Sequence, residues 1–103
     1  MTKKKLIRSI DPVGLSKAAD TIKVVGHPDR LKILEFLEDG EKAVGEVQDC
    51  LHLPQAIVSQ HLAKMRGWNI VESRRDGIHV YYRIIEPKVS HILDCIRDCD
   101  LAE

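Results

Sequence analysis

The sequence predicts a mainly α-helical domain with one small antiparallel β-hairpin. Apolar residues recur at helical spacing in five segments, which are separated by Pro, Gly, Asn and Asp. Two short runs of strand-forming residues flank Asp76-Gly77, a strong signal for a two-residue hairpin loop. A length of 103 residues fits one domain. The predicted order is therefore four helices, two strands and a final helix.

The first twelve residues are predicted to form a flexible basic arm, and residues 13–103 the folded domain. Met1–Arg8 is rich in Lys and Arg, and no apolar stretch follows it. Asp11-Pro12 is a helix start signal, so the first helix is predicted over Val13–Val25, with Gly26 ending it. Its apolar residues share one side, namely Leu15, Ala18, Ala19, Ile22 and Val25.

Two more helices are expected before the central segment of the chain. His27-Pro28-Asp29 starts the second helix, and Asp39-Gly40 ends it by turn chemistry. This helix is the most apolar segment, so we expect it at the centre of the core. A short third helix is predicted over about Ala43–Leu51. His52-Leu53 then connects it tightly to the fourth helix.

The fourth helix, in the stretch Leu53–Lys64 and beyond, combines an apolar face with a polar surface. The apolar residues at helical spacing are Ile57, Val58, Leu62 and Met65. The remaining surface of the first two turns carries Gln55, Ala56, Ser59, Gln60 and His61. Short polar side chains near a helix N-terminus suit a helix that enters the major groove of DNA and reads base edges. The third and fourth helices together form a helix-turn-helix.

The hairpin that follows is expected to carry positive charge at its tip. Asn69 suits the left-handed conformation that closes a helix, and a strand begins at Ile70-Val71-Glu72. Ile78–Ile84 returns as the second strand. Arg74 and Arg75 at the tip are suited to contact phosphates or a narrow minor groove. A basic hairpin directly after a helix-turn-helix indicates a winged helix-turn-helix that binds DNA.

The distribution of charge agrees with a DNA-binding surface, although the formal net charge is zero. Between Pro54 and Arg83 there are five basic residues against two acidic ones. Between Ile84 and Glu103 there are two basic residues against five acidic ones. The positive charge therefore lies with the fourth helix and the hairpin.

The last segment is predicted to be a helix over Lys88–Leu101 that pairs with a second copy of the chain. Glu86-Pro87 starts this helix. A narrow apolar seam at spacings of three and four is formed by Val89, Ile92, Ile96 and Cys99. Such a seam on a terminal helix favours a symmetric dimer.

Three motifs occur in order along the chain: Gly26–Leu34 reads GHPDRLKIL, Val58–Leu62 reads VSQHL, and Arg74–Tyr82 reads RRDGIHVYY. Together they resemble the ArsR/SmtB family of small winged-helix bacterial repressors, and the resemblance covers nearly all the chain from about Val13. It implies a homodimer, joined through the first and last helices, that binds a roughly two-fold symmetric operator in double-stranded DNA. It also implies an effector that weakens DNA binding and releases transcription.

The resemblance also assigns candidate DNA contacts. The matching positions are Gln55, Ala56, Ser59, Gln60 and His61 on the reading helix, and Arg74, Arg75 and His79 on the wing. Gln60 is suited to a bidentate pair with adenine, and His61 is equally suited to donate to a phosphate. Lys64 and Arg66 favour phosphates over bases. The chain departs from the family's common pattern at His27, where Asp often caps the second helix, and at Trp68-Asn69.

The chain departs further from the family's known sensor sites. Ala43-Val44-Gly45 stands where the arsenic and cadmium sensors have Cys-Val-Cys, and Lys88 and Ala102 stand at zinc-ligand positions. The remaining effector candidates are His91, Cys95, Cys99 and Cys50. Three interpretations stay open, namely a site for a thiophilic metal or metalloid, a redox- or sulfur-sensitive site, and structural cysteines in the dimer seam.

Other features limit the class of protein. Three cysteines without a disulfide spacing fit a reducing compartment, and no apolar run approaches the roughly 20 residues that span a membrane. We therefore expect a cytoplasmic protein without a membrane partner. A thiol enzyme with Cys95 or Cys99 as nucleophile and His91 as base lacks a third orienting group. The sequence thus favours a repressor over an enzyme, and a winged helix for protein–protein contact is the other alternative.

Overall fold

The structure is a computed structural model that describes residues 9–99 as five α-helices and a three-stranded sheet. The helices are α1 (Pro12–Val25), α2 (Pro28–Leu37), α3 (Val44–Leu51), α4 (Gln55–Gly67) and α5 (Lys88–Arg97). The strands are β1 (Lys42–Ala43), β2 (Val71–Asp76) and β3 (His79–Ile84). This arrangement confirms the predicted winged helix-turn-helix. Within the described range, each helix is too short or too polar to cross a membrane.

Two sequence predictions fall partly beyond the described range. Most of the basic arm, residues 1–8, lies outside the described residues, and so do residues 100–101 of the predicted final helix. The arm and its boundary at residue 12 therefore stay predictions.

Side-chain caps begin the first two helices where the sequence predicts them. Asp11 Oδ2 accepts a hydrogen bond from the backbone N–H of Gly14 at 3.0 Å. His27 Nδ1 accepts one from the backbone N–H of Asp29 at 3.1 Å. Each cap satisfies a donor that the first turn of a helix leaves unpaired. The caps set where α1 and α2 start.

The core lies between α2, α3 and α4 and continues under the sheet. Its largest fully buried side chains include Ile33, Leu34, Leu37, Val47, Val58, Leu62, Met65 and Ile70. The turn between α3 and α4 contains His52 in the left-handed conformation, with φ 57°. Asn69, just after α4, has φ 58°, as predicted. Because one face of α4 packs into this core, its other face is held toward solvent.

The sheet has one strand more than the sequence predicts. β1 pairs antiparallel with β3, and the strand order is β1-β3-β2. A strand of two residues has no periodicity that sequence analysis could detect. The loop of the hairpin also differs by one residue, since Asp76 pairs with His79 and the loop is Gly77-Ile78. Only Gly77 in that loop has positive φ, +64°, which fits a type II′ turn.

The apolar side predicted for α1 is only partly buried in the chain. Val25 packs in the core, whereas Leu15 and Ile22 are 53% and 58% exposed. The core contacts the side of α1 that carries Val24 and Val25, so the adjacent apolar stripe of the helix stays uncovered.

The predicted seam of α5 is wrong at Val89. Val89 is 1% exposed and packs in the chain's own core together with Leu93. The reason is that α5 needs apolar side chains of its own to hold it on α2. Ile92 is half-buried, while Ile96 and Cys99 remain exposed and available to a second copy.

Candidate nucleic-acid interface

The N-terminal half of α4 presents the side chains that the sequence predicts for reading DNA. Gln55, Ala56, Ser59 and Gln60 are all exposed. On the opposite side of the helix, Val58 is completely buried. The core therefore fixes the direction of the polar face. An α-helix with its side chains is about 10–12 Å in diameter, which fits the width of a major groove.

The wing lies against this face and forms a groove with it. The groove has a volume of about 450 Å³, and its lining includes Gln55 and Ser59 from α4 and His79 from β3. Gly45, at the start of α3, lines its third side. The reading helix and the wing thus border the same groove.

His61 does not belong to the exposed face. Its side chain is buried, with 8% exposure, and its ring centroid lies 4.6 Å from that of His27. Its Nδ1 accepts a hydrogen bond from Arg30 Nε at 3.2 Å. The prediction that His61 lies on the polar surface of the helix is wrong, because position 61 falls on the face that packs against α2.

Arg30 joins three helices through this contact. Besides its bond to His61, its Nη1 donates to the backbone carbonyl oxygen of Val24 at 3.0 Å. Val24 lies in the last turn of α1, Arg30 in the first turn of α2, and His61 in the middle of α4. One side chain therefore fixes the end of α1 relative to the reading helix. Sequence reasoning missed this link.

The two arginines near the wing tip have different surroundings. Arg74 Nε donates to Glu41 Oε2 at 3.1 Å, and its guanidinium lies 4.7 Å from the centre of the Tyr81 ring. The hydrogen bond from Arg74 lowers the pKa of the Glu41 carboxyl, so the pair stays ionised. Arg75 is exposed and has no ion-pair partner within residues 9–99. Arg75 is thus the arginine that is free to contact a phosphate.

Three further side chains complete the surface. Lys64 and Arg66 are exposed in the last turns of α4, and Arg66 Nη1 lies 3.3 Å from Ser73 Oγ, to which it donates. Ile78 forms the tip of the wing and is 89% exposed. Sequence reasoning assigned Ile78 to a strand and did not single it out, although an apolar residue beside a hairpin glycine is a recognisable signal.

The effector candidates do not form a compact site. Cys95, Cys99 and His91 are exposed, and Cys50 is half-buried beside the core. Within residues 9–99, the only set of three or more acidic, His and Cys side chains close enough to share a cation is His27, Asp29 and His61. In that cluster, however, the hydrogen bond from Arg30 occupies His61 Nδ1. The arrangement is that of a hydrogen-bonded cluster.

Comparison with known proteins gives a consistent result. Residues 27–73 match the model of the family described as "Bacterial regulatory protein, arsR family". The transcriptional repressor PagR of Bacillus anthracis is 40% identical over 85 residues, which span 82% of this chain and 85% of PagR. The repressor SmtB of Mycobacterium tuberculosis is 33% identical over 79 residues, and the match spans 77% of this chain but 58% of SmtB.

Solved structures agree with the sequence comparisons. HlyU from Vibrio cholerae superposes with a TM-score of 0.79 at 31% identity, covering 84% of this chain and 95% of HlyU. The crystal structure of PagR superposes with a TM-score of 0.74 at 38% identity, covering 84% of this chain and 99% of PagR. Both likenesses extend over nearly the whole length of the known protein.

Proposed function

The chain belongs to the arsR family of bacterial regulatory proteins and is a DNA-binding transcriptional repressor, and from this premise we propose that it acts as a homodimer on a two-fold symmetric operator. In this proposal an effector releases the dimer from DNA. The observation that carries it is the exposed polar face of α4, which shares one groove with the wing.

Base reading is assigned to the first two turns of α4. Gln60 is suited to a bidentate contact with adenine, and Ala56 to a thymine methyl group. Gln55 and Ser59 line the groove and supply further donors and acceptors. Lys64, Arg66, Arg75 and His79 are assigned to phosphates, which position the protein without specifying sequence.

Dimerisation is assigned to α1 and α5. The exposed apolar stripe of α1 is formed by Leu15 and Ile22, and α5 carries the exposed apolar side chain of Ile96. Exposed apolar side chains of this number on a small domain favour burial against a partner. A two-fold pair of reading helices would then contact half-sites about 34–36 Å apart, one turn of the duplex.

Selection from a random-sequence duplex pool tests the proposed function. We expect the purified protein to recover a consensus with two inverted half-sites, and light scattering to report a dimer. A monomer that recovers no preferred duplex would contradict the proposal. The recovered duplex serves as the probe in the experiments below.

Freeing Arg74 from its ion pair should add a phosphate contact. In the Glu41→Gln variant we expect the plot of log affinity against log salt to steepen by about 0.9 per protomer, since each neutralised phosphate contributes that slope. Fluorescence anisotropy between about 50 and 200 mM salt measures it. Glu38→Gln is the matched control, because Glu38 pairs with Arg97 of α5, away from the wing. An unchanged slope in Glu41→Gln would contradict the expectation that the freed Arg74 gains a phosphate contact.

Effector release is assigned to Cys95 and Cys99, which are exposed. Cys95 lies in the last turn of α5, and Cys99 lies two residues beyond its end. Modification of an exposed thiol beside an apolar dimer surface adds polarity or bulk there. We expect one of arsenite, zinc, peroxide or a persulfide donor to weaken operator binding by about tenfold or more, corresponding to about 1.4 kcal/mol. The variant with Cys95→Ser and Cys99→Ser should not respond, whereas Cys50→Ser should respond as wild type. If none of the four agents acts on the wild type, the cysteines are structural and another inducer operates.

A further inference from the structure

The reading helix has one titratable side chain that faces the interior of the fold. His61 is buried, its Nδ1 accepts from Arg30 Nε at 3.2 Å, and its Nε2 lies 3.7 Å from Asp29 Oδ2. His27 stands against the other side of the ring, with 4.6 Å between centroids. Because His61 is buried, it is not assigned a contact with DNA, and its role follows from its contacts inside the fold.

The chemistry of the cluster favours a proton over a metal ion. Arg30 is always a donor, so the His61 Nδ1 that accepts from it carries no proton. The neutral ring then carries its proton on Nε2, toward Asp29. A metal ion on Nε2 would require the proton to sit on Nδ1, directly facing the N–H of Arg30.

We propose that His61 is a positioning residue for the reading helix, and that uptake of a proton by its ring weakens operator binding. The inference rests on the proposed function. Protonation turns Nδ1 from an acceptor into a donor, so the hydrogen bond from Arg30 is lost and two cations face each other. Because Arg30 also donates to the backbone carbonyl oxygen of Val24, α4 then loses its hydrogen-bonded link to α2 and, through Arg30, to the end of α1, while the packing of its apolar face remains.

The charged groups around His61 come from each element packed against it. Asp29 and Arg30 of α2 and the capping His27 lie in direct contact with it. Beyond Arg30, a cavity between α1 and α4 is lined by further charged groups, namely Asp20, Lys23 and Lys64. Positive groups outnumber negative ones in this set, so an added proton on His61 is disfavoured while the helices are in place.

The direction of the pH effect follows from these surroundings. Burial, followed by the charges of His27 and Arg30, lowers the pKa of His61 below the ordinary histidine value of about 6.5, and Asp29 opposes this. A lowered His61 pKa in the folded protein means that the hydrogen bond from Arg30 to His61 is fully formed above about pH 6.5 and is lost as the pH falls through the lowered pKa. Acid therefore acts against DNA binding through His61.

Comparison of the wild type with His61→Gln tests the inference. Glutamine keeps an oxygen that accepts from Arg30 but does not titrate. Operator affinity is measured by anisotropy on the selected duplex, from about pH 7.5 to about pH 5.5. For each unit by which the His61 pKa differs between the DNA-bound and free forms, the wild type should lose up to about tenfold more affinity per protomer than the variant, which is about 100-fold for a dimer. The two proteins differ only at position 61, so the contributions of all other residues are common to both profiles.

Parallel profiles, or a wild type that binds more tightly in acid than the variant, would overturn the inference alone. Failure to recover any duplex at about pH 7.5 would overturn the proposed function, and this inference with it. If His61→Gln does not fold, an NMR titration of the wild-type histidines decides instead. A neutral His61 with its proton on Nε2 and a pKa below about 6.5 supports the inference, and a pKa at or above that value overturns it.

Discussion

Replacing Ser59 and Gln60 together with alanine should abolish selective DNA binding while leaving the fold and the dimer intact. Both side chains are exposed on α4 and make no hydrogen bond to the protein within the described residues, so their loss leaves no buried group unsatisfied. A good bidentate base contact contributes about 1–3 kcal/mol of discrimination. In a dimer the loss occurs twice, so we expect the selected duplex to lose roughly 100-fold or more relative to a scrambled one.

Anisotropy against both duplexes, with circular dichroism and light scattering, measures this outcome. Lys64→Ala is the matched control on the same helix, because loss of a phosphate contact should weaken both duplexes alike and reduce the salt slope. Unchanged discrimination in the double alanine variant would show that other residues read the bases.

Placing a carboxylate in the apolar stripe of α1 should convert the dimer to a monomer. Ile22 is 58% exposed in the single chain, and we assign it to the dimer surface. In Ile22→Glu two charges are buried in one symmetric interface, and each unpaired buried charge costs about 3 kcal/mol or more. We expect dimer affinity to fall by more than about 100-fold and operator affinity to fall with it, since a monomer contacts one half-site.

Sedimentation over a range of concentrations, followed by anisotropy, checks this expectation. Ser16→Glu introduces the same charge on the solvent side of the same helix and should remain dimeric. A dimeric Ile22→Glu protein would place the interface away from the apolar stripe of α1.

Local signals account for most of what sequence analysis predicted correctly. Asp11 and His27 are helix caps that act within three residues, and Asn69 adopts the left-handed conformation at a single position. Each of these outcomes depends on neighbours in the chain. The helix order and the hairpin follow from such signals, and they were sufficient to place the reading helix and the wing.

The errors concern contacts between residues distant in the chain. Glu41 and Arg74 are separated by 33 positions, and Arg30 and His61 by 31. No local sequence pattern predicts either pair. The burial of His61 nevertheless had a signal, because Val58, His61, Leu62 and Met65 follow the spacing of a buried helix face. Interpreting a polar residue as exposed overrode that periodicity.

The double hydrogen bond of Arg30 has a consequence for the architecture of the operator. Its Nε and Nη1 point in directions that a planar guanidinium fixes, one to α4 and the other to the end of α1. In a dimer joined through α1, the angle between these two helices determines how far apart the two reading helices lie. In such a dimer, Arg30 would help to set the number of base pairs between the half-sites.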